Sequence, residues 1–188
     1  FYMVTGSAFG IHDIAWVRRH MPSDGSVRLT EVTTAWAVIN CCGPRSRELI
    51  ARLADTEVSN AAFPYMAMRE MRLGLAPVRV ARVTYVGELG YELHVPVDYA
   101  LHLYEELWRA GQDLGVANAG YRAIESCRLE KRYLYWGADI GPDYTPWEAG
   151  LDFAVSMRKG DFIGRAALER AKAEGPKRRL RVLLSTAD

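Results

Sequence analysis

Apolar residues recur along the chain at two spacings, one helical and one alternating, and their order predicts the elements. Leu101, Tyr104, Leu107 and Trp108 follow each other at three- and four-residue steps, which predicts a helix that Asp98 can cap and Gly111 closes. Further helices are expected from about Phe9 to Met21, ended by Pro22 and the Asp24-Gly25 turn signal, and from Pro44, at the first turn, to about Leu53. Others are expected over Asn60 to Met68, from about Tyr121 to Leu134, and from Gly164 to Ala173. β-rich runs predict strands at Phe1 to Val4, Val27 to Thr33, Ala35 to Asn40, Met71 to Leu73, Val78 to Tyr85, Tyr91 to Val95, Leu151 to Met157 and Leu180 to Leu184. Gly87 and Gly90 bracket Glu88-Leu89 between two of these runs, the pattern of a tight hairpin. Neighbouring strands joined by hairpins, without evenly spaced glycine-rich turns, give an α+β fold with mixed or antiparallel sheets.

Composition narrows the class. The 188 residues are 49% hydrophobic and 25% charged, enough to bury one ordinary core or two small ones. Lysine plus arginine (24) nearly cancel aspartate plus glutamate (23), so no global field recruits nucleic acid or an anionic membrane. The apolar run Ala35 to Cys42 falls far short of the roughly 18 residues that span a bilayer. Residues 1 to 20 lack the charged start and apolar centre of a secretory signal, so the cytoplasm or a mitochondrial matrix is the expected compartment. Cys41, Cys42 and Cys127 show no C-x-x-C spacing and read as free thiols, and His12 and His20 lack the i, i+4 spacing of a helical metal pair, so no metal site is expected. Phe1 opens directly into a strand-like run, which predicts a segment of a longer chain.

Several common chemistries lack their residues. There is no G-x-G-x-x-G or G-x-x-x-x-G-K-[ST] to cradle phosphates, so any flavin is bound elsewhere, and no G-x-S-x-G elbow for a serine nucleophile. What remains is a group of polar and aromatic residues near the expected hairpin. Period-2 geometry sends Tyr91, Leu93 and Val95 to one face, the core, and Glu92 and His94 to the other. Periodicity leaves Glu92 as either a surface carboxylate or one placed in a pocket. Tyr85 is likewise either a packed ring with a satisfied hydroxyl or a ligand contact, and His94 and Phe153 stay equally open.

The run Tyr85-Val86-Gly87-Glu88-Leu89-Gly90-Tyr91-Glu92 resembles the Y-[TV]-G-E-x-G-[YFW]-E signature of the glycine-cleavage T-protein (aminomethyltransferase) family. Arg128-Leu129-Glu130-Lys131, Trp136-Gly137 and Thr145-Pro146-Trp147-Glu148-Ala149-Gly150-Leu151-Asp152-Phe153 follow in the order seen in the folate domains of dimethylglycine and sarcosine dehydrogenases. Thr5-Gly6, His12-Asp13, Trp16, Gly43-Pro44-Arg45-Ser46-Arg47 and Lys177-Arg178-Arg179-Leu180 extend the similarity over nearly the whole chain.

The resemblance implies a T-protein-like folate-binding fold with ferredoxin-like sheets and packed helices. Residues 1–175 would form it, 34–123 making one interleaved subdomain and the flanks the other, and 176–188 would begin a barrel-like part. It implies that Tyr85 and Glu92 contact tetrahydrofolate, that Leu93 and His94 continue the contact segment, and that Phe153 supplies a late aromatic without a hydroxyl. An ionised carboxylate can accept two charge-assisted hydrogen bonds from the N–H and amino group on one pterin edge, and a tyrosine ring can stack on the pterin. The implied activity joins a flavin domain outside this segment, where FAD oxidises an N-methyl amine substrate, to capture of the carbon as 5,10-methylenetetrahydrofolate. Ile124 stands where the T-protein has a folate-binding arginine, which favours the dehydrogenase branch, and the family's catalytic aspartate is expected upstream, leaving no catalytic residue assigned here. The rival readings are a glycine-cleavage aminomethyltransferase and a non-enzymatic folate-binding module.

Overall fold

Four strands make the only sheet among the described residues, which are 1–183 of this computed structural model. The strands are β1 (Trp36–Cys42), β2 (Met68–Leu73), β3 (Ala76–Ala81) and β4 (Gly90–Pro96), all antiparallel and ordered β1-β4-β3-β2. The helices are α1 (Gly10–His20), α2 (Ser46–Leu53), α3 (Ala100–Ala110), α4 (Tyr121–Glu130), α5 (Pro146–Ala149) and α6 (Arg165–Glu174).

Alternation along the strands sorts the two sheet faces. Tyr91, Leu93, Val95, Val78, Val80, Met71 and Leu73 face α2 and α3, whose Leu49, Ile50, Leu103 and Leu107 complete the core with Phe63. Leu93, Val95, Val80, Leu103 and Ile50 are fully buried, each contributing roughly 1.5–3 kcal/mol relative to exposure. The opposite face carries two cross-strand rows, Val38-His94-Arg79-Glu70 and Asn40-Glu92-Ala81-Met68. Tyr2 and Trp36 cover part of this face, with the Arg79 guanidinium 5.0 Å from the first ring and 4.5 Å from the second. Those separations suit cation–π attraction.

The expected α+β class and antiparallel pairing hold, and α1, α2, α3, α4, α6 and β1 lie where the pattern put them, within a few residues. Other elements need correction. Phe1 to Val4 and Val27 to Thr33 form no strand because no neighbouring backbone pairs with them, and Tyr2 contributes its ring instead of a ladder. Asn60 to Met68 is no helix: Pro64 interrupts it, residues 59–63 make turns, and Met68 already opens β2. Leu151 to Met157 contains a 3-10 turn at Asp152–Ala154 rather than a strand, and residues 180–183 are irregular, with Leu184 outside the described residues. Pro44 sits in the turn before α2. Asp98 lies in a 3-10 turn, and α3 has no side-chain cap. β3 ends at Ala81, so residues 82–89 form a longer loop than the tight hairpin that the two glycines suggested.

Candidate functional site

The loop 82–89 folds over the end of α4 and makes one wall of a cleft of about 460 Å³. Tyr65, Tyr85, Tyr133 and Phe153 line it with their rings, and Lys131 and Arg132 bring two cations. The loop reaches α4 closely because Gly87 has no side chain: a Cβ there would sit 2.3 Å from Lys131 Cγ, and its φ of +70° disfavours other residues. Lys131 Nζ lies 3.1 Å from Glu88 of the same loop, and this contact holds the ammonium above its ordinary pKa.

Tyr85 is packed through its hydroxyl and still open to the cleft. Its hydroxyl donates to the Leu134 carbonyl at 2.9 Å, its ring lies 6.2 Å from that of Tyr133, and part of the ring faces the cleft. Burial raises its hydroxyl pKa above the ordinary value.

The segment Tyr133-Leu134-Tyr135, whose first two residues line the cleft, is pinned at three consecutive residues. Arg128, 2% exposed, donates to the Tyr133 carbonyl at 3.0 Å, Tyr85 to that of Leu134, and the Tyr135 N–H donates to Asp139 at 2.8 Å. Arg128 also pairs with Asp139 and Glu125, and its hydrogen bonds to Glu125 and Asp139 raise its pKa further. A buried guanidinium without such partners would be strongly unfavourable, so the carboxylates and carbonyl are what allow it to stand beneath this segment.

Two backbone strains occur at this cleft. Arg132 (φ 58°) and Met66 (φ 67°), the latter beside Tyr65, are the non-glycine residues with left-handed backbone among those described. Each such conformation costs on the order of 1–3 kcal/mol, and that strain collects at functional sites. Arg132 Nη2 donates to the carbonyls of Ala149 (3.3 Å) and Leu180 (3.1 Å). A Cβ on Gly150 would sit 2.7 Å from that nitrogen, and the glycine's φ of +72° is left-handed as well.

Of the residues singled out by sequence, Tyr85 and Phe153 meet in the cleft, Phe153 at its rim and 84% exposed. Glu92 and His94 lie instead on the sheet face under Tyr2. His94 is 1% exposed, with Nδ1 3.2 Å from the Tyr2 hydroxyl and Nε2 3.5 Å from Glu92 Oε2. A tautomer protonated on Nε2 lets the ring accept from Tyr2 while facing its N–H to the carboxylate. Leu93 is fully buried in the core on the central strand β4. The two groups approach each other along the sheet: Arg82 follows Ala81, the partner of Glu92, and its carbonyl accepts from Met66 at 3.1 Å, next to cleft-lining Tyr65.

Sequence reasoning missed Tyr2, Tyr65, Arg132 and Tyr133. Tyr65 fell in a misassigned helix, and nothing in an arginine's residue type signals a left-handed backbone. Arg128 and Lys131 stood in a motif but carried no assigned role. A second depression, about 360 Å³ along α6, is lined by Arg165 and Glu169, which pair with each other at 2.9 Å, and by Met157, Lys172 and Ala173. No group of three histidine, cysteine, aspartate or glutamate residues among those described is placed to hold a metal ion, and none of their helices is long and apolar enough to cross a membrane.

The family described as the GCVT N-terminal domain matches residues 1–159. The mouse mitochondrial pyruvate dehydrogenase phosphatase regulatory subunit is 37% identical over 186 residues, covering 98% of this chain and 21% of that protein. Human mitochondrial dimethylglycine dehydrogenase is 34% identical over 190 residues, covering 100% of this chain and 22% of that protein. Among solved structures, the glycine cleavage system aminomethyltransferase T of Bartonella henselae superposes with a TM-score of 0.73 and 25% identity, over 91% of this chain and 45% of that one. The chain therefore spans about a fifth of the length of these curated relatives.

Proposed function

Because the chain belongs to the GCVT N-terminal domain family, we propose that it is the tetrahydrofolate-binding part of a demethylating flavoenzyme of the dimethylglycine or sarcosine dehydrogenase kind. The observation that carries this reading is the aromatic cleft, in which Tyr85 and Phe153, distant in sequence, line one volume suited to a flat heteroaromatic ligand. Tyr85 stacks on the ligand with its hydroxyl already satisfied by Leu134, and Phe153 offers a ring without a polar atom. Glu92 anchors the pterin edge by accepting two hydrogen bonds, and His94, held by Tyr2, backs the carboxylate. Leu93 acts through the strand it anchors in the core.

A flavin on a separate domain supplies the oxidation of an N-methyl amine, and bound tetrahydrofolate takes up the released carbon as 5,10-methylenetetrahydrofolate. The residues of this chain hold and orient the folate and keep water from the cleft, a proximity effect worth several kcal/mol, on the order of 7 at the well-aligned limit. Glu92 is an anchor in this scheme, and the catalytic base lies outside the assigned residues. Residues 34–123 and the flanks form two interleaved units, and the compartment is cytoplasmic, or the mitochondrial matrix in a eukaryote. The partners are small molecules, with no nucleic acid and no membrane.

A second reading, a folate-binding module without catalysis, is favoured by one finding: a relative at 37% identity is by name a regulatory subunit. An aminomethyltransferase acting on a carrier-bound group is less favoured, since Ile124, half-buried in α4, replaces the arginine that the resemblance expects.

Calorimetric titration of folinic acid into the protein and into Glu92→Gln tests the folate reading. Saturable binding is expected, weakened in the variant by about 1.5–3 kcal/mol for lost charge-assisted hydrogen bonds. No binding to the intact protein would overturn it. Formation of 5,10-methylenetetrahydrofolate from an N-methyl amine, assayed with the flavin domain present, separates the enzyme from the module.

A further inference from the structure

We propose that Arg132 forms an anion subsite in the aromatic cleft and takes a carboxylate of the ligand; resting on the folate reading, that group is the glutamyl tail. Two cations line the cleft, and they differ in what surrounds them. Lys131 is paired with Glu88, its charge already answered. Arg132, among the described residues, makes no ion pair, and its contacts are the carbonyls of Ala149 and Leu180, both bonded to Nη2. Carbonyl dipoles orient a guanidinium without cancelling its charge, and Nε and Nη1 keep donors for a planar carboxylate.

The backbone around the group is shaped to admit it. Arg132 itself is left-handed, and its Nη2 packs against Gly150, 2.7 Å from where a Cβ would stand. A charged residue kept in a conformation that glycine would adopt without strain, at the edge of an aromatic cleft, is explained by what its guanidinium does there. Reduced folate has matching parts, a flat pterin and aminobenzoyl body followed by a dicarboxylate. With the tail on Arg132, the flat body lies along the rings of Tyr85 and Tyr133 that line the cleft.

The test compares folinic acid, which carries the tail, with 6-methyltetrahydropterin, which lacks it, by anaerobic calorimetry on the intact protein and on Arg132→Gln and Arg132→Gly. Glycine suits the left-handed position, so Arg132→Gly is expected to remain folded, with a cooperative thermal transition, while losing the cation. Both variants are expected to bind folinic acid about ten-fold or more weakly, equivalent to about 1.4 kcal/mol, and the tailless pterin within about two-fold of wild type. Unchanged folinic acid affinity in Arg132→Gly overturns the subsite and leaves the folate reading standing. Equal weakening of both ligands also overturns it, since Arg132 would then only shape the cleft. Absence of binding by either ligand to the wild type overturns the folate reading and the subsite together.

Discussion

The sheet with α2 and α3 and the stretch from Tyr121 to Leu183 are held together by different physics. In the first, fourteen buried side chains from Leu49 to Leu107 form one apolar cluster. In the second, the buried residues among those described are Arg128, Ile140, Glu148 and Ala149, two of them charged. Apolar burial needs no directional partner and tolerates small shifts. The second region instead depends on individual hydrogen bonds to backbone groups, which fix a few residues closely and leave most others exposed. The cleft lies where the two meet, with Tyr65 and Tyr85 from the sheet side and Tyr133 and Phe153 from the other. A rigid apolar body thus presents one wall, and a wall set by ion pairs faces it.

The largest effect that sharpens this contrast is expected in the apolar body. Leu93→Ala removes a fully buried side chain from the central strand and should lower global stability by about 3–4 kcal/mol, read by urea unfolding. Arg128→Gln should cost about 2–3 kcal/mol, below the full value for a broken buried pair because Glu125 and Asp139 are partly exposed. Its loss should be local: amide exchange at Tyr135 accelerates while Leu93 and Val80 stay protected. Equal acceleration in both regions would break the contrast.

The smallest effect is acid-dependent and confined to the second region. Glu148 accepts from the Thr145 N–H at 2.9 Å and from its hydroxyl in a capping box, and it faces Arg178 at 3.5 Å. The Thr145 N–H, first among these, holds its carboxyl pKa below the usual carboxylate value. Because the folded value is the lower one, the stabilisation is present at neutral pH and is lost as pH falls through it. Amide exchange at Ala149 and Leu180, both bonded to the Thr145–Glu148 backbone, should rise on acidification below the ordinary glutamate range. Glu148→Gln should show the same rise at neutral pH and flatten the pH dependence.

Local pattern was a good guide on β4, where the alternation of Tyr91, Leu93 and Val95 led to residues that the core absorbs. In α3 the helix itself was legible but its inward face was not: of Leu101, Tyr104, Leu107 and Trp108 only Leu107 is buried, and Leu103 completes the face that meets the sheet. Pattern was a poor guide at Val27 to Thr33 and Leu151 to Met157, where β-rich composition met no partner strand, because a strand is stabilised by a ladder that its own residues cannot supply. Of the motif residues, Tyr85 and Phe153 both line the cleft, whereas Glu92, from the same motif as Tyr85, lies on the sheet face.

The sequence by itself determined the family, through the run from Tyr85 to Glu92 and the later Arg128 and Thr145 motifs, together with the α+β class and the inward face of β4. Residue order and side-chain spacing are sufficient for those. Only the tertiary structure decided that the Tyr85 hydroxyl is bonded to Leu134, that Lys131 pairs with Glu88 while Arg132 makes no ion pair among the described residues, and that Arg132 stands in a left-handed turn beside Gly150. Each of these depends on which backbone arrives from a distant part of the chain, and local periodicity reports only the face on which a side chain leaves its own element.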